Sequence, residues 1–497
     1  MSTDMTHTTL LGVDLGTSSV KAVITDADGR ILCQATREYE VESANAGWAE
    51  SDPRVWWRET LGCVREAVAK AAAAGAASPS AVGLSGQMHG VVLVDADLEP
   101  VRPAILWADL RASDVMREYE RLDREARARL ANPILPGLAG PILLWLSRFD
   151  GAALAAARWA LQPKDWLRAR MTGVVLTEPS DASATLLYDV PGDRWDTEVM
   201  VALGLDPAWF APLGSWAGEP AGRLTSAASE AFGLTPDIAV AIGAGDTAAA
   251  MFGTGLREPR RLQLTLGSGG QIVSAVNEPV RGGPGTTLFR TAAQHGWYRM
   301  AATTNAGLAL DWVRGVLGAS WEELYGAAAL PDRDTDPFFL PHLTGERTPW
   351  VDPTMRGAWV GLTLAHDRTT LLHAALEGVA FAVRTAMDAL GRPGPSSGVR
   401  IAGGGSTHPA WRQLLADVLG TPLDALVATA ASGRGAALLG GCALGLIDEA
   451  TVFGPLAPPT RRVCDPLPDR TEHATARYER WLEHVAASRG VGDGIAP

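Results

Sequence analysis

The fold is decided by the stretch TLLGVDLGTSSVKAVITDADGRILCQATREYEV, residues 9–41. Its first apolar segment ends at a turn of small residues, Gly16 to Ser18, and a second apolar segment follows that turn. An Asp28-Gly29 turn then leads into a third apolar segment. Segments joined by such short turns predict an antiparallel β-meander.

The residues that follow extend this meander into a layered domain. Asp52-Pro53 is a typical helix start, and Trp57, Leu61 and Val64 come after it at the i, i+4, i+7 spacing of one helix face. A strand-like segment, AVGLSG at residues 81–86, is next. Strands followed by an alternation of helices and strands predict an α/β domain with a mixed sheet.

The opening pattern returns halfway along the chain. LGTSSVKAVITD at residues 15–26 is echoed by LGSGGQIVSAVN at residues 266–277. Because 497 residues exceed a single core of roughly 250–300 residues, we interpret the echo as two related domains, with coincidence between two glycine turns as the alternative. The predicted units are residues 1–247, residues 248–446 and a tail, 447–497, that ends in a packing helix.

Composition argues against several classes of function. The formal net charge of −13 disfavours a nucleic-acid-binding surface, which needs a basic face. No apolar run reaches the ~18 residues of a membrane span, and no basic segment precedes an apolar one at the start, so the expected location is the cytoplasm. Cys33, Cys63, Cys442 and Cys464 are too scattered to indicate a zinc site or a disulfide framework.

Lysine usage restricts how a nucleotide could bind. The chain contains only Lys21, Lys70 and Lys164, and none follows a GxxxxG pattern, which excludes a P-loop. Any bound polyphosphate must therefore be held by other groups.

The two echoed turns are candidates for that role. Thr17 and Ser18 in the first turn, and Gly267 and Ser268 in the second, can direct backbone N–H groups and hydroxyls at an anion. Asp14 precedes the first turn and can hold Mg²⁺ through water. An ordinary hairpin with a turn-capping aspartate is the alternative for the first turn alone. Two such turns facing each other across a cleft would bind ATP from both sides without a lysine.

A run of three glycines, Gly403, Gly404 and Gly405, lies between an apolar strand and a predicted helix. Glycines there let a flat base or ribose lie against the backbone near a helix N-terminus, and a tight crossover is the alternative. Ser406 or Thr407 is expected to cap the helix. After two candidate phosphate turns, the run is a plausible floor for adenosine.

Asp246 in GAGDTAAA follows an apolar strand and precedes a small-residue helix. For an arbitrary aspartate in that setting, an N-cap is the ordinary role. Beside a phosphate clamp, the same carboxylate is what phosphoryl transfer to a hydroxyl requires, because it can accept the proton as the oxygen attacks the γ-phosphorus.

A second candidate loop is GLSGQMHG, in which Gln87, Met88 and His89 stand between Gly86 and Gly90. Flanking glycines allow a sharp turn or a close approach, so the loop is expected to present its side chains to a ligand. A lone histidine is more often structural, and only this context reverses that expectation.

These segments together resemble the FGGY carbohydrate kinases and, within that family, the xylulokinases. The resemblance spans about residues 9 to 446 and rests on nine segments in the order and spacing of the family. They are GVDLGTSSVK, GLSGQMHG, RPAILWAD, LQPKDWLRARMTG, AGDTAA, LTLGSGG, FFLPHLTGERTPW, RGAWVGL and GGGSTHPAWRQLLADVLG.

The resemblance implies two RNase H-like domains of the actin and Hsp70 type, with the active site in the cleft between them. It implies ATP-dependent phosphorylation of D-xylulose to D-xylulose 5-phosphate, and homodimers are common in the family. It also implies the roles of the candidate residues: Asp246 as general base, Asp14 at a Mg²⁺-phosphate site, Met88 and His89 on the sugar with Gln87, Trp107, Asp109 and Thr247 around it, Thr17, Ser18, Gly267 and Ser268 on the phosphates, and Gly403, Gly404 and Gly405 on adenosine.

Three positions depart from the usual xylulokinase pattern. Thr247 stands where an asparagine is usual, Ala108 stands where WND has its asparagine, and Ile142 replaces the lysine of PKLLW. None of them is Asp14 or Asp246, so the exact sugar is more open than the catalytic machinery. The alternatives are a kinase of another ketose or polyol, such as ribulose or a deoxy-ketose, and a sugar-independent ATPase of the actin or Hsp70 type.

Overall fold

The computed structural model of the protein describes residues 8–330, 333–394, 397–427 and 429–489. Two seven-stranded sheets form its framework, one in each half of the chain. The prediction of two α/β halves is therefore confirmed.

The first sheet contains the predicted meander, joined to parallel strands on its other side. Thr9–Leu15 pairs antiparallel with the strand after it and parallel with Pro79–Gly86, because a helix, Pro53–Ala73, crosses between them. In spatial order the strands are Pro220–Arg223, Ala239–Ala241, Pro79–Gly86, Thr9–Leu15, Ser19–Asp26 and Ile31–Glu38, and Ala244–Gly245 also pairs with Pro79–Gly86.

The register of this sheet brings three of the predicted site segments to one edge. Leu15 is opposite Gly86, and Gly86 is opposite Gly245. Because the carboxyl ends of parallel strands lie at the same edge of a sheet, the segments that follow these residues emerge side by side.

The second sheet repeats the same hairpin and parallel neighbour. Leu262–Leu266 pairs antiparallel with Gly270–Val276 and parallel with Val399–Ala402. The echo between the two halves of the sequence thus corresponds to equivalent hairpins. In spatial order the strands are Thr287–Arg290, Trp297–Thr303, Gly270–Val276, Leu262–Leu266, Val399–Ala402, Leu423–Leu426 and Thr460–Cys464.

Four two-stranded sheets and the helices surround this framework. The small sheets pair Glu50–Ser51 with Ala104–Ile105, Val92–Val94 with Trp159–Leu161, Tyr188–Asp189 with Arg194–Trp195, and Phe338–Leu340 with Ala358–Val360. The α-helices are Pro53–Ala73, Arg124–Leu130, Ala139–Phe149, Gly151–Ala156, Pro163–Thr172, Pro179–Ala182, Thr197–Ala202, Ser226–Phe232, Asp246–Gly253, Gly307–Val316, Trp321–Ala327, Arg368–Leu390, Pro409–Leu419, Ala431–Ala443, Glu449–Phe453 and Pro468–Arg489. The 3₁₀ helices are Arg111–Arg121, Pro207–Trp209 and Gly404–Ser406.

Local sequence accounts for several of these boundaries. The Asp52 side chain accepts a hydrogen bond from the Arg54 N–H, and Pro53 occupies the first helical turn, so Pro53–Ala73 begins where Asp52-Pro53 predicts. The buried side chains of this helix, among them Trp56 and Cys63, face the first sheet.

A glycine-rich helix from the second half packs on the first sheet. An added Cβ at Gly12 would lie 1.9 Å from the Gly433 carbonyl oxygen, and one at Gly83 would lie 1.8 Å from the Ala436 carbonyl oxygen. The backbone of Ala431–Ala443 therefore touches the backbone of the two central strands, which only glycines on those strands permit. On the other side of this helix, an added Cβ at Gly435 would lie 1.9 Å from the Ala249 carbonyl oxygen, in the helix that Asp246 begins.

The predicted packing helix in the tail is present as Pro468–Arg489. Its fully buried Arg477 forms an ion pair with Glu377, with 2.6 Å between Nη2 and Oε2, and Trp481 donates to the Phe339 carbonyl. The tail is therefore part of the second core. Residues 490–497 lie outside the described residues. In the described part of the chain, no helix has the length and apolar character needed to cross a bilayer.

Candidate active site

The first predicted phosphate turn is held by groups that occupy its carbonyl oxygens. The Tyr39 hydroxyl donates to the Gly16 carbonyl over 2.5 Å, and the Gln87 side chain donates to the same oxygen over 3.2 Å. The Gln87 N–H donates to the Leu15 carbonyl. Because these acceptors are tied back to the domain, the turn can offer N–H groups and hydroxyls, including the exposed Ser18, to an anion.

The second turn is held in the same way, by a helix that sequence reasoning missed. The N–H of Gly307 donates to the Gly267 carbonyl over 3.0 Å, and the N–H of Leu308 donates to the Ser268 carbonyl over 2.9 Å. Helix Gly307–Val316 thus begins behind this turn, and its positive dipole end is directed at it. The sequence signal that could have predicted this helix is Gly307, followed by apolar residues at helical spacing.

Asp14 occupies the end of the first strand, where Ser85 donates to its Oδ1 over 3.0 Å. Burial raises the pKa of this carboxyl group, although the Ser85 hydroxyl and the charge of Lys21 oppose that shift. Asp14 also acts on Asp246, since its charge contributes to the raised pKa of Asp246. Two of the predicted acidic residues therefore face the same region.

Asp246 begins helix Asp246–Gly253, with Gly245 rather than Asp246 at the N-cap. Its Oδ1 accepts hydrogen bonds from the N–H and, over 3.2 Å, the hydroxyl of Thr247. Burial, with a smaller effect of the Asp14 charge, raises the pKa of Asp246 to about 6. A carboxylate in this state is ionised at neutral pH and more basic than an ordinary aspartate, as a general base should be.

Thr247 links the two halves of the chain. The Gln271 amide nitrogen lies 3.1 Å from Thr247 Oγ1 and 2.9 Å from the sulfur of Met300. Gln271 follows the second turn on strand Gly270–Val276, so the residue after the candidate base is tied to the opposite side of the cleft. Neither Gln271 nor Met300 was among the predicted residues, because their proximity to Asp246 depends on how the two sheets face each other.

Met88 lies under the segment that carries Asp246. An added Cβ at Gly245 would be 3.0 Å from the Met88 sulfur, and the Tyr298 hydroxyl is 3.8 Å from the same sulfur. Burial raises the pKa of Tyr298, and the charge of Asp246 adds to that rise, so the two side chains are close. The structure therefore brings the Met88 loop, Tyr298 and Asp246 together at the cleft.

His89 has a positive φ of 74°, and its Nδ1 is 2.9 Å from the Ala184 carbonyl oxygen. Because a carbonyl only accepts, Nδ1 carries the proton and Nε2 remains as an acceptor. The pKa of His89 is lowered to about 4, mainly by burial, with the Ala184 hydrogen bond opposing the shift and the charge of Arg347 adding to it. The imidazole is thus neutral at physiological pH and ready to accept from a hydroxyl.

Trp107 and Asp109 differ in what they offer to a ligand. Trp107 is 43% exposed, and its Nε1 donates to Thr17 Oγ1 over 2.9 Å, which places it beside the first turn. Asp109 is fully buried, and its two oxygens accept from Nε and Nη2 of the Arg111 guanidinium and from the Ala49 and Arg111 N–H groups. The geometry of Asp109 favours a structural ion pair over sugar contact.

The three glycines lie beside the second turn. An added Cβ at Gly403, which has a φ of 90°, would be 2.3 Å from the Leu266 carbonyl, whereas nothing lies within 4 Å of such an atom at Gly404. Backbone on one side and open space on the other suit a flat ligand. The predicted cap was wrong: the Ser406 and Thr407 hydroxyls donate to the Gly403 and Gly404 carbonyls in a 3₁₀ turn.

Below the site lies a buried charge cluster that sequence reasoning did not assign. Lys164 Nζ is 2.7 Å from Asp165 Oδ1, 3.1 Å from Asp181 Oδ2 and 3.5 Å from Glu178 Oε1, and all four side chains are at most 1% exposed. Arg168 also binds Asp165, over 2.7 Å. Burial raises the pKa of Asp181 to about 8; the charge of Lys164 opposes this shift, and the charges of Asp165 and Glu178 add to it.

This cluster supports both candidate loops. The Gly245 N–H donates to the Ser180 hydroxyl over 3.1 Å, and Ser180 donates to Glu178. An added Cβ at Gly86 would lie 2.8 Å from the Lys164 Cβ. The cluster thus lies directly behind the residues that precede Asp246 and Gln87.

All four cysteines are free thiols, and the described residues contain no group of three or more histidine, cysteine or acidic side chains arranged to hold a metal ion. Mg²⁺ does not require such a group, since it usually takes one or two carboxylates and completes its shell with water and phosphate.

Comparison with known proteins agrees with this architecture. Residues 9–253 match the N-terminal domain, and residues 264–444 the C-terminal domain, of the FGGY family of carbohydrate kinases. The boundary predicted at residues 247 and 248 stays a prediction.

Individual relatives cover most of the chain. A xylulose kinase of Klebsiella pneumoniae is 35% identical over 83% of this chain and 85% of its own. A glycerol kinase of Citrifermentans bemidjiense is 30% identical over 97% of this chain and 99% of its own. The crystal structure of a xyloylose kinase from Brucella ovis, 32% identical, superposes with a TM-score of 0.89 and covers 97% of this chain and 100% of that one. The two halves are therefore RNase H-like domains of the actin and Hsp70 type, and the chain belongs to the FGGY family of carbohydrate kinases.

Proposed function

We propose that this kinase transfers the γ-phosphoryl group of ATP to the terminal hydroxyl of D-xylulose, giving D-xylulose 5-phosphate. The observation that carries the proposal is Asp246, a half-buried carboxylate with a pKa raised to about 6. It lies beside the Met88–His89 loop, is close enough to Asp14 to feel its charge, and is linked through Thr247 to Gln271 of the other half. The choice of sugar is supported by the 35% identical relative that is a xylulose kinase.

Asp246 is the general base of this mechanism. Its Oδ1 is engaged by Thr247, so Oδ2 is the oxygen that accepts the proton of the attacking hydroxyl. Removing that proton makes the hydroxyl oxygen a better nucleophile as it approaches the γ-phosphorus in line. The transferred phosphoryl group forms a bond to the sugar oxygen as its bond to the β-phosphate oxygen breaks, and ADP leaves.

The sugar is held by the Met88–His89 loop. The neutral His89 accepts a hydrogen bond from a sugar hydroxyl through Nε2, while the Met88 thioether packs against the carbon face. This pairing of an apolar side chain with a hydrogen-bond acceptor suits a polyol, whose carbon and hydroxyl surfaces alternate.

ATP is bound without a lysine from a P-loop. The N–H groups and hydroxyls of Thr17, Ser18, Gly267 and Ser268 donate to the phosphates, and the floor of Gly403 to Gly405 carries adenosine. Because the carbonyls of Gly16, Gly267 and Ser268 are occupied by the protein, they do not repel the phosphate oxygens.

Asp14 fits the requirements of a Mg²⁺ site. Burial disfavours the ionised form of Asp14, and the negative charge of Asp14 repels that of Asp246. A divalent cation would offset both the burial of the charge and this repulsion. Mg²⁺ bound there would neutralise charge that develops on the phosphates. Residues from both halves line the cleft, and their approach would exclude water that could otherwise accept the phosphoryl group.

The test is ADP release by the purified protein with Mg-ATP and D-xylulose, L-xylulose, D-ribulose, L-ribulose, glycerol or no sugar. We expect D-xylulose to give the highest kcat/KM. A clear preference for another ketose or for glycerol would overturn the named substrate while keeping the kinase chemistry. Turnover that ignores every sugar would assign the chain to sugar-independent ATPases instead.

A further inference from the structure

Arg347 projects from a loop that is fixed on both sides of it. The preceding Glu346 accepts from the Thr303 hydroxyl and the Thr304 N–H, both over 2.8 Å. The following Thr348 donates its N–H to the Ala302 carbonyl over 3.0 Å and its hydroxyl to the Gly285 carbonyl over 2.9 Å. The backbone of Arg347 therefore has little freedom, and its side chain extends from a rigid position.

The guanidinium of Arg347 forms no hydrogen bond or ion pair with any side chain or carbonyl in the described part of the protein. The neighbouring Glu346 carboxylate accepts instead from the Thr303 hydroxyl and from the backbone N–H groups of Thr304 and Arg347. Arg347 is half-buried, and it lines a small cavity together with Thr287, Met300 and Ala302. Five N–H donors that are partly removed from water carry a free-energy cost unless an acceptor meets them.

A second polar group in that cavity also lacks a partner. Thr287 is 6% exposed, and its Oγ1 is buried without a hydrogen-bond partner among the described residues. Buried hydroxyls are nearly always paired in native proteins. Two unsatisfied polar groups facing one cavity indicate that a polar ligand supplies the missing atoms.

Strand register places this cavity relative to the His89 loop. Phe289 is opposite Tyr298, and the next pair on the same face is Thr287 opposite Met300. The His89 ring packs on Phe289, with 5.9 Å between centroids. Arg347, beside Thr287 and Met300, therefore lies one pair further along these strands.

Asp246 lies on the other side of the same floor. Thr247 contacts Gln271 on the strand two places from Thr287, with the strand of Met300 between them. Gln271 is opposite Ala302 whereas Thr287 is opposite Met300, so two strand spacings of about 4.8 Å and an offset of two residues, about 7 Å, separate these positions. A pentose with its reacting hydroxyl at Asp246 would extend across this floor toward Arg347 at its opposite end.

We propose that Arg347 binds the carbonyl end of the sugar, donating hydrogen bonds to the oxygens furthest from the hydroxyl that is phosphorylated, with the Thr287 hydroxyl as a second partner. This inference rests on the proposed function. It assigns to Arg347 the part of the sugar site furthest from Asp246, which would take a polyol chain with oxygens on the two carbons furthest from the phosphorylated hydroxyl. The charge of Arg347 also lowers the pKa of His89, which agrees with their shared proximity to the ligand.

The experiment compares Arg347→Met with the matched control Arg356→Met, which removes an exposed arginine from the same loop. Both are assayed at pH 7.5 for kcat, the KM of ATP and the KM of D-xylulose, 1-deoxy-D-xylulose and D-arabinitol. We expect Arg347→Met to raise the KM of D-xylulose about 10- to 100-fold with the KM of ATP unchanged, as for loss of hydrogen bonds from a charged donor. The penalty should be smaller on at least one analogue, which lacks or alters the oxygen concerned.

Three results would overturn the assignment: an equal penalty on all three sugars, a loss confined to kcat, or a rise in the KM of ATP, which would place Arg347 on the phosphates. Thr287→Val is the second variant, expected to raise the sugar KM several-fold without unfolding the protein, and a wild-type value would contradict its role. If the wild type prefers another polyol, the proposed function fails separately, and the same comparison is made with that sugar and its deoxy analogue.

Discussion

At the scale of single residues, Asp246 is a charged group in an environment that disfavours its charge. It is ionised at neutral pH, yet burial and the nearby Asp14 disfavour its charge and raise its pKa to about 6. Active sites often carry such destabilising groups because the chemistry needs them. Substitution should therefore separate activity from stability at this position.

We expect Asp246→Asn to lower kcat by about 10²- to 10⁴-fold, the contribution typical of a general base. In the wild type, kcat/KM should fall below pH 6 as Asp246 is protonated. A profile that stays flat from pH 5 to 8, or a variant with near wild-type kcat, would contradict the role of base.

The same variant should be more stable than the wild type at pH 7.5. The pKa of Asp246 in the folded state, about 6, exceeds its ordinary value of 3.8, so the folded state binds the proton more tightly than the unfolded state. As the pH rises from 3.8 to about 6, ionisation of Asp246 therefore lowers the free energy of unfolding. Above pH 6 that loss is complete. Asparagine removes it, and we expect a gain of up to about 2 kcal/mol, measured as a higher Tm without ligands.

His89 calls for a substitution that respects its backbone. Its φ of 74° is costly for most side chains, and asparagine tolerates it best. We expect His89→Asn to raise the sugar KM at least tenfold while the Tm and the KM of ATP stay near wild type. Because the pKa of His89 is lowered to about 4, the wild-type sugar KM should not respond to His89 between pH 6 and 8. Asp246, with its pKa of about 6, can also affect this KM near that pH, so an inflection near pH 6.5 that is lost in His89→Asn would show that the imidazole titrates normally.

At the scale of elements, the contact between helix Ala431–Ala443 and the central strands depends on missing side chains. Gly83 and Gly12 allow backbone to touch backbone, and Gly435 does the same against the helix that Asp246 begins. This contact joins the second half to the two strands whose ends carry Asp14 and the Gln87 loop.

We expect Gly83→Ala to destabilise the protein by about 3 kcal/mol or more, since its Cβ would lie 1.8 Å from a carbonyl oxygen that cannot move aside. Gly315→Ala is the matched control. It lies within helix Gly307–Val316 with nothing within 4 Å of an added Cβ, so it should be neutral or stabilising by up to about 1 kcal/mol. Urea unfolding measures both, and equal effects of the two would contradict the close packing of the helix.

At the scale of the whole molecule, the two halves share one packed centre. Met88 and Ala437 from opposite halves belong to the same hydrophobic cluster, together with Phe289 and Tyr298. Proteins with two domains often unfold in separate steps. Here each half covers apolar surface of the other.

We therefore expect a single unfolding transition in calorimetry, with the calorimetric and van't Hoff enthalpies equal. Gly83→Ala, a change in the first sheet, should lower the temperature of that whole transition. Two resolved transitions, with only the first one shifted by the variant, would show that the halves unfold independently.

Much of this molecule could be predicted from sequence because the relevant physics is local. The turns at Gly16 and Gly267, the helix start at Asp52-Pro53 and the strand patterns depend on neighbouring residues, and they occur where predicted. The same local reasoning failed at Ser406 and Thr407, where three glycines allow a 3₁₀ turn that takes the hydroxyls away from the helix.

The sequence by itself determined the two-domain α/β architecture, the pair of equivalent turns at Gly16 and Gly267, the absence of a P-loop and Asp246 as the candidate base, since each is encoded in a short contiguous pattern. Only the tertiary structure decided that Asp109 pairs with Arg111, that Lys164 lies in a buried cluster behind the site, and that Arg347 lines a small cavity without a side-chain partner among the described residues. Those facts depend on which groups meet across the fold. A charged side chain carries no mark of its partner in the sequence, and pairing is set by sheet register and by the contact between the two halves.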